Sequence, residues 1–254
     1  MNIEVCDPML NLTPPEAVLF DLGGTILEFD TYIDPSTGND GAQLTLDLAI
    51  VNPHSLTAGE LSVISSEIAG EFEAKRKLGN IEYPADLMDR HVYEPYGLRF
   101  DISSEELAER VFRNTHRGAR VEAGAEEVFK TLKSAAIPMG IVSNSGFTAR
   151  AVFSYVREFK LDHYFEFMMS TADYGFRKPD ARILLTACRR LGLDPAQVWY
   201  VGNSIEHDVT AARRAGMPAI WYNGADSPSS SPTPDATISS WQNLTQILGQ
   251  LLRE

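Results

Sequence analysis

The run Ala17-Val18-Leu19-Phe20-Asp21-Leu22-Gly23-Gly24-Thr25 constrains this chain more than any other stretch. Four apolar residues lead straight into an aspartate, and two glycines and a threonine follow. The apolar run is too short for a helix and reads as a strand buried on both faces, as in the middle of a parallel sheet. Ligands of open parallel sheets bind outside the carboxyl ends of the strands, so Asp21 stands where a ligand crevice opens. Gly23 and Gly24 permit a sharp turn and a close approach of backbone to ligand. Taken alone, the stretch is equally a strand followed by an ordinary Asp-x-Gly turn.

The second half of the chain supports the parallel sheet. From Glu122 onward, helical periodicities alternate with short apolar runs. A helix carries Val128, Leu132 and Ala135, and the strand Met139–Ser143 follows. Ala151, Phe153, Tyr155, Val156 and Phe159 form one helix, and Phe165–Met169 a short strand. A helix with Ile183, Leu184, Ala187 and Leu191 ends at Gly192. The strand Val198–Val201 leads to a helix from about Asp208 to Ala215, stopped by Gly216. Ala219–Tyr222 is a strand, Ala236–Ile238 an edge strand and Trp241 to Leu252 a closing helix, after a Ser/Pro/Asp-rich loop over 224–234. This alternation is the signature of an α/β fold with helices on both faces of a parallel sheet.

Residues 41 to about 116 interrupt that pattern and read as mostly helical. Leu44, Leu46, Leu48, Ala49 and Val51 suggest one helix, ended before Pro53. Thr57 followed by Glu60 is a capping-box pattern. It opens a helix with Leu61, Ile64, Ile68 and Phe72 on one face, running to Lys77 and stopping near Gly79-Asn80. Ser103 or Ser104 caps a further helix with Leu107, Val111 and Phe112 inward. Residues 1–16 read as a loosely held lead-in and 34–40 as a loop.

A length of 254 residues suits one large domain or two smaller ones, and 44% hydrophobic content suffices for a core. The net charge of −13 provides no field for phosphate backbones, which argues against nucleic acid or an anionic membrane as partner. Cys6 and Cys188 are too few for a disulfide framework and fit a reducing compartment. The N-terminal segment contains Glu4 and Asp7 and lacks the basic-then-apolar pattern of a secretory signal. No window of about 18 apolar residues exists to span a membrane. The expectation is a cytoplasmic protein whose oligomeric state has no signature in the sequence.

Three further stretches join the first. Met139-Gly140-Ile141-Val142-Ser143-Asn144 is a strand ending in Ser-Asn. Gly175-Phe176-Arg177-Lys178-Pro179-Asp180 sets a lysine before a proline and a helix. Val198 to Val201 is a strand that runs into Gly202-Asn203, with Asp208 five residues on. In order and spacing the four resemble the motifs of the haloacid dehalogenase-like hydrolase superfamily, over roughly Val18 to Asn223. The inserted helices resemble the first class of cap domains in that superfamily, with the segment after Thr25 as a small flap. The resemblance implies a Rossmann-like core made of residues 1–30 and 120–254 and an all-helical cap of residues 31–119.

It also implies roles. Asp21 would be the nucleophile, with Ser143 and Lys178 completing the catalytic group. Ser143, Asn144, Lys178 and the backbone at Gly24 would hold a phosphate, although Asn144 suits orientation of the nucleophile loop as well. A magnesium ion would take Asp21, the carbonyl of Gly23 and the side chain of Asn203, with Asp208 as a supporting carboxylate behind them. A carboxylate can attack phosphorus and form an aspartyl phosphate that water hydrolyses. Such chemistry needs charge neutralisation at the phosphoryl oxygens more than covalent help. Ordinary alternatives exist. Asp21, Ser143 and Asp208 could be helix caps, Lys178 a loop lysine, His207 a solvent-facing residue and Glu28 a flap charge.

Two positions depart from the family pattern. Gly23 stands where most members have a second aspartate, the general acid–base, although some phosphatases of the superfamily carry glycine there. Asn203 replaces a metal-binding aspartate, so magnesium is expected to bind weakly. Three readings follow: a magnesium-dependent phosphatase of a small phosphorylated metabolite, a metal-independent haloacid dehalogenase-type hydrolase, and a non-catalytic binding protein on the same scaffold. The dehalogenase branch usually has tyrosine at position 23 and needs a cap arginine, and nothing in the sequence chooses among Arg76, Arg90 and Arg99.

Overall fold

The structure is a computed structural model and describes residues 12–32, 39–228 and 231–252. Among the described residues, ten strands and ten α-helices follow in chain order. The first part runs β1 (Ala17–Phe20), β2 (Leu27–Tyr32), α1 (Asn39–Leu48), β3 (Ala49–Val51), α2 (Ala58–Gly79) and α3 (Ala85–Tyr93). Next come β4 (Arg99–Phe100), α4 (Ser104–Thr115), β5 (His116–Val121), α5 (Ala125–Ser134) and β6 (Met139–Ser143). Then follow α6 (Ala149–Val152), α7 (Ser154–Glu158), β7 (Phe167–Ser170), α8 (Arg182–Leu191) and β8 (Val198–Gly202). The last are α9 (Thr210–Ala215), β9 (Ala219–Tyr222), β10 (Ala236–Ile238) and α10 (Trp241–Leu251).

Six strands form one parallel sheet in the order β10-β9-β8-β1-β6-β7. β1 lies inside it and its four residues are fully buried. Successive side chains on a strand point to opposite faces. Accordingly Val18 and Phe20 pack with Val128, Phe129 and Leu132 of α5 and with Trp241 and Leu244 of α10. Ala17 and Leu19 pack with Ile183, Leu184 and Ala187 of α8 and Ala211 and Ala212 of α9. From β1 the chain adds β6 and β7 on one side and later β8, β9 and β10 on the other. The crevice at such a switch point opens beside the end of β1, which is where Asp21 sits.

The insertion leaves and returns through an antiparallel pair, β2 with β5. Its long helix α2 starts at the expected capping box, Thr57 with Glu60, and ends at Asn80 in the left-handed conformation. Ser103, not Ser104, caps α4. Leu61, Val92 and Leu98 anchor a small core of the insertion.

Several local expectations are corrected. The helix read through Ala49 and Val51 stops at Leu48, and Ala49–Val51 pairs instead with Arg99–Phe100. The helical insertion therefore carries a two-stranded ribbon. The helix read over 151–159 is two short helices that meet at Phe153, and the strand read as Phe165–Met169 is Phe167–Ser170. Of the lead-in, residues 1–11 lie outside the described residues. Leu12 is buried, and Glu16 N–H donates to the Gln197 carbonyl at 2.9 Å, so this part is held. The loop expected over 34–40 lies outside the described residues up to 38, and α1 already begins at Asn39. Among the described residues no helix is long and apolar enough to cross a membrane.

Candidate active site

Four segments meet at the carboxyl ends of β1, β6 and β8. β1 delivers Asp21, and β6 delivers Ser143 with Asn144 next. β8 delivers Asn203, and the loop before α8 delivers Lys178. Asp21, Gly23, Ser143, Asn144, Lys178, Asn203 and Asp208 all line one pocket of about 220 Å³. The pocket is roofed from the insertion by Phe29, Phe112 and His116. It lies below the range of about 300–1,000 Å³ typical of drug-sized ligands, so it suits a small one.

Lys178 organises the floor. Its ammonium donates to Asp21 Oδ1 at 2.7 Å, Asp208 Oδ1 at 2.6 Å and the Val142 carbonyl at 3.1 Å, with the Tyr200 hydroxyl at 2.6 Å. Only 1% of its side chain is exposed. Burial works against the charge of Lys178, but Asp208 and Asp21 outweigh it and hold the ammonium above the usual lysine value. Burial raises the Asp21 carboxyl to about 6, with Lys178 pulling down and Asp208 pushing up. The buried Tyr200 hydroxyl is likewise driven well above its ordinary value by burial and by the two carboxylates. It stays protonated and donates to the Val142 carbonyl at 3.0 Å.

Backbone contacts fix the two ends of this array. The Asn144 amide donates to the Lys178 carbonyl and accepts from the Lys178 N–H, both at 2.9 Å. Both polar atoms of that side chain are thus committed to the lysine loop rather than open to a phosphate. Asp208 Oδ2 accepts from the Ser204 N–H at 2.9 Å. Asp208 is not a helix cap. It lies inside a π-helical turn over Ile205–Val209, whose cap is Ser204. Gly202 must lack a Cβ, which would come within 2.5 Å of the Asp208 carboxyl carbon.

Gly24 has φ +71°, and a Cβ there would come within 2.2 Å of the Asn203 amide nitrogen. Its N–H donates to the Leu27 carbonyl at 2.8 Å and it does not line the pocket. The expected phosphate contact from Gly24 is therefore corrected: its N–H is used in the flap turn, and its role is to let the Asn203 side chain lie against it. Asp21 Oδ2 accepts from Thr25 Oγ1 at 3.3 Å.

Four residues here had no sequence assignment. Tyr200 carried a weak signal, a hydroxyl in the middle of a strand that otherwise reads as wholly apolar. His116 reaches the pocket only because β5 returns beside β2. Arg177 is masked by the adjacent lysine, and Ser145 by the Ser-Asn pair before it. His207, by contrast, was weighed as a solvent-facing residue and lines the pocket, its ring Nδ1 3.1 Å from Ser204 Oγ.

The model of the haloacid dehalogenase-like hydrolase family matches residues 15–216. The chain belongs to that family. Among relatives of this hydrolase, a glyceraldehyde 3-phosphate phosphatase of Methanothermobacter thermautotrophicus is 36% identical over 92 residues, 36% of this chain and 40% of that one. The chain thus spans well under half the length of that relative. A phosphoglycolate phosphatase of Chromobacterium violaceum is 25% identical over 94% of this chain and 99% of its own. A solved 2-haloacid dehalogenase from Pseudomonas syringae superposes with TM-score 0.60 at 25% identity, covering 92% of this chain and 98% of that one. The protein is thus a hydrolase with a Rossmann-like core and a helical cap region, similar both to phosphatases and to dehalogenases.

Proposed function

We propose that this hydrolase is a magnesium-dependent phosphatase of a small phosphorylated metabolite, acting through an aspartyl phosphate on Asp21. The observation that carries the reading is the Asp21–Lys178 pair at the mouth of a small polar pocket. Lys178 holds Oδ1 of Asp21, and Oδ2, which Thr25 Oγ1 approaches at 3.3 Å, attacks phosphorus. The bond from phosphorus to the ester oxygen breaks, and the departing alkoxide takes up a proton. Water then attacks the phosphorus of the aspartyl phosphate, releasing phosphate and restoring Asp21. Lys178 offsets charge on the phosphoryl oxygens, and Ser143 offers them a hydroxyl donor. Residues 1–30 and 120–254 act as the core and 31–119 as the cap that selects the leaving group.

The donor set fits magnesium. Asp21, Gly23 and Asn203 all line the pocket, and a carboxylate, a backbone carbonyl and an amide carry hard oxygen donors. Among the described residues, no group of three or more His, Cys, Asp or Glu side chains is placed to hold a metal. Magnesium suits such a site because it keeps several waters and binds through one or two carboxylates plus substrate phosphate oxygens. The ion would neutralise phosphoryl charge, and with so few anionic ligands it would be weakly held.

A second reading, a metal-independent haloacid dehalogenase, is favoured by one observation. No acid stands at position 23, and a halide leaves without needing a proton. A panel of phosphomonoesters with and without magnesium, with chloroacetate as control, separates the two. Phosphate release that needs magnesium and disappears in Asp21→Asn supports the phosphatase. Chloride release without magnesium, and no phosphate release from any ester, defeats it.

A further inference from the structure

We propose that Arg177 reads a carboxylate on the leaving group of the substrate, so that the substrate class is short phosphorylated hydroxy acids. This rests on the phosphatase reading and adds to it a substrate chemistry and the residue that selects it.

Arg177 and Lys178 are adjacent and line the same pocket but have different partners. Lys178 turns inward to Asp21. Arg177 lines the same pocket and reaches the insertion, where its Nε stands 3.6 Å from Glu82 Oε2. A phosphoryl group over Asp21 and Lys178 therefore shares its pocket with the Arg177 side chain.

The guanidinium is held from behind and open in front. Arg177 N–H donates to the Asn80 carbonyl at 2.9 Å, and Glu82 N–H to the Gly175 carbonyl at 3.1 Å, so the two segments are stitched together. The Glu82 carboxylate is 1% exposed, stands 2.9 Å from Arg76 Nε and accepts from Thr171 Oγ1 at 3.0 Å. Glu82 thus faces two guanidiniums, but Arg76 is nearer to it and also has Glu73 at 3.5 Å, so the pairing of Arg177 at 3.6 Å is the looser one. Among the described residues, the Nη groups of Arg177 have no hydrogen-bond partner. The side chain is 24% exposed and lines the pocket.

Charge in the pocket points the same way. Lys178 is the other lysine or arginine in the lining, and it is already shared by Asp21 and Asp208. Arg177 is the cation left for the substrate. A guanidinium presents a planar fork that matches a carboxylate in two parallel hydrogen bonds. The volume of about 220 Å³ leaves room for a leaving group of only a few carbons.

The test uses three esters of similar size with magnesium present: phosphoglycolate, ethyl phosphate and phosphoethanolamine, whose leaving groups are anionic, neutral and cationic. The wild-type enzyme is expected to favour phosphoglycolate, with phosphoethanolamine poorest. In Arg177→Gln the ratio of kcat/KM for phosphoglycolate to that for ethyl phosphate is expected to fall about 10- to 100-fold, mainly through KM, the effect of losing a charge-assisted pair. Comparing ratios between wild type and variant cancels the difference in leaving-group acidity. Arg177→Lys keeps the charge without the fork and is expected to fall in between. Glu82 retains Arg76 and Thr171 in either variant, so the fold has no reason to fail, and a melting curve verifies this. An unchanged ratio in Arg177→Gln, or a wild-type enzyme indifferent to the leaving-group charge, overturns the role of Arg177 while leaving the phosphatase standing. A folded wild-type enzyme that hydrolyses no phosphomonoester in the wider panel overturns both.

Discussion

The Lys178 ammonium lies 2.7 Å from Asp21 and 2.6 Å from Asp208, so one buried cation serves two buried carboxylates. Burial first, and the Asp208 charge after it, raise Asp21 to about 6 in spite of its lysine partner. In the unfolded chain the same carboxyl releases its proton near 3.8. Between these values the folded state binds more protons than the unfolded one. The contribution of this group to stability therefore falls as pH rises through the window, and it is lowest above about pH 6. Asp21→Asn removes that titration. The melting temperature of the variant relative to wild type is expected to rise from pH 4 to pH 6.5 and then level off. The gain is on the order of 1–3 kcal/mol, or about 2–4 °C for each kcal/mol in a chain of this size. A difference that stays flat between pH 4 and 7 would count against the raised Asp21.

Asn203 lines the same pocket as Asp21 and brings no charge to it, and Asp21 is already paired with Lys178. Asn203→Asp restores an anionic donor next to Asp21. Magnesium should then half-saturate activity at a lower concentration, because ligand charge sets affinity. Without the metal the added charge has only repulsion from Asp21 and Asp208 to meet. The variant is therefore expected to melt below wild type in chelator and to regain the difference when magnesium is added. An unmoved half-saturation point, with no effect of magnesium on melting, would place position 203 away from the ion.

What was legible beforehand follows from how local each signal is. β1 and β6 declare themselves because each is a short apolar run that ends on a polar residue, and a strand buried on both faces permits little else. The capping box at Thr57 involves only residues three apart. The ribbon strand Ala49–Val51 was read as helix because three residues can continue a helical spacing, and its partner Arg99–Phe100 lies some fifty residues away. The π-turn at Ile205–Val209 was read as the start of a plain helix. The contact from the Ser204 N–H to Asp208 that fixes it forms only once the loop has folded. Glu82 has no signal of its own in the sequence. Only the meeting of α2, the segment before α3 and the loop carrying Lys178 shows it to be buried between two arginines.

That buried position makes Glu82 a stability element as well. Removing its carboxylate leaves Arg76, with 15% of its side chain exposed, with the half-exposed Glu73 at 3.5 Å and the Tyr83 carbonyl at 3.0 Å. Breaking a buried pair from one side costs about 3–5 kcal/mol. Glu73 keeps the expected loss for Glu82→Ala near the lower end, roughly a 6–12 °C drop in melting temperature. Glu82→Gln retains an acceptor for Thr171 and should lose about half as much. Thermal melts of the two variants side by side check this, and a drop below about 2 °C for Glu82→Ala would show that the carboxylate is not holding Arg76.

Gly23 offers the sharpest test of the chemistry. The position lines the pocket, and its φ lies outside the left-handed region that would demand glycine. A Cβ built there meets nothing nearer than the Phe29 ring at 4.0 Å. The backbone therefore accepts a side chain, and the missing acid is a matter of chemistry rather than of strain. An alkoxide needs a proton as it leaves, whereas nitrophenolate does not. Gly23→Asp is expected to raise turnover of alkyl phosphates by up to about 10²-fold relative to that of p-nitrophenyl phosphate. Both substrates are to be measured on the same preparation, with a melting curve to confirm that the variant folds. An equal change on both would mean that the new carboxyl does not reach the leaving oxygen. A wild-type enzyme that already hydrolyses the two at the same chemically limited rate would show that the proton comes from elsewhere in the pocket. His116 and His207 both line that pocket, so each would be the next residue to replace.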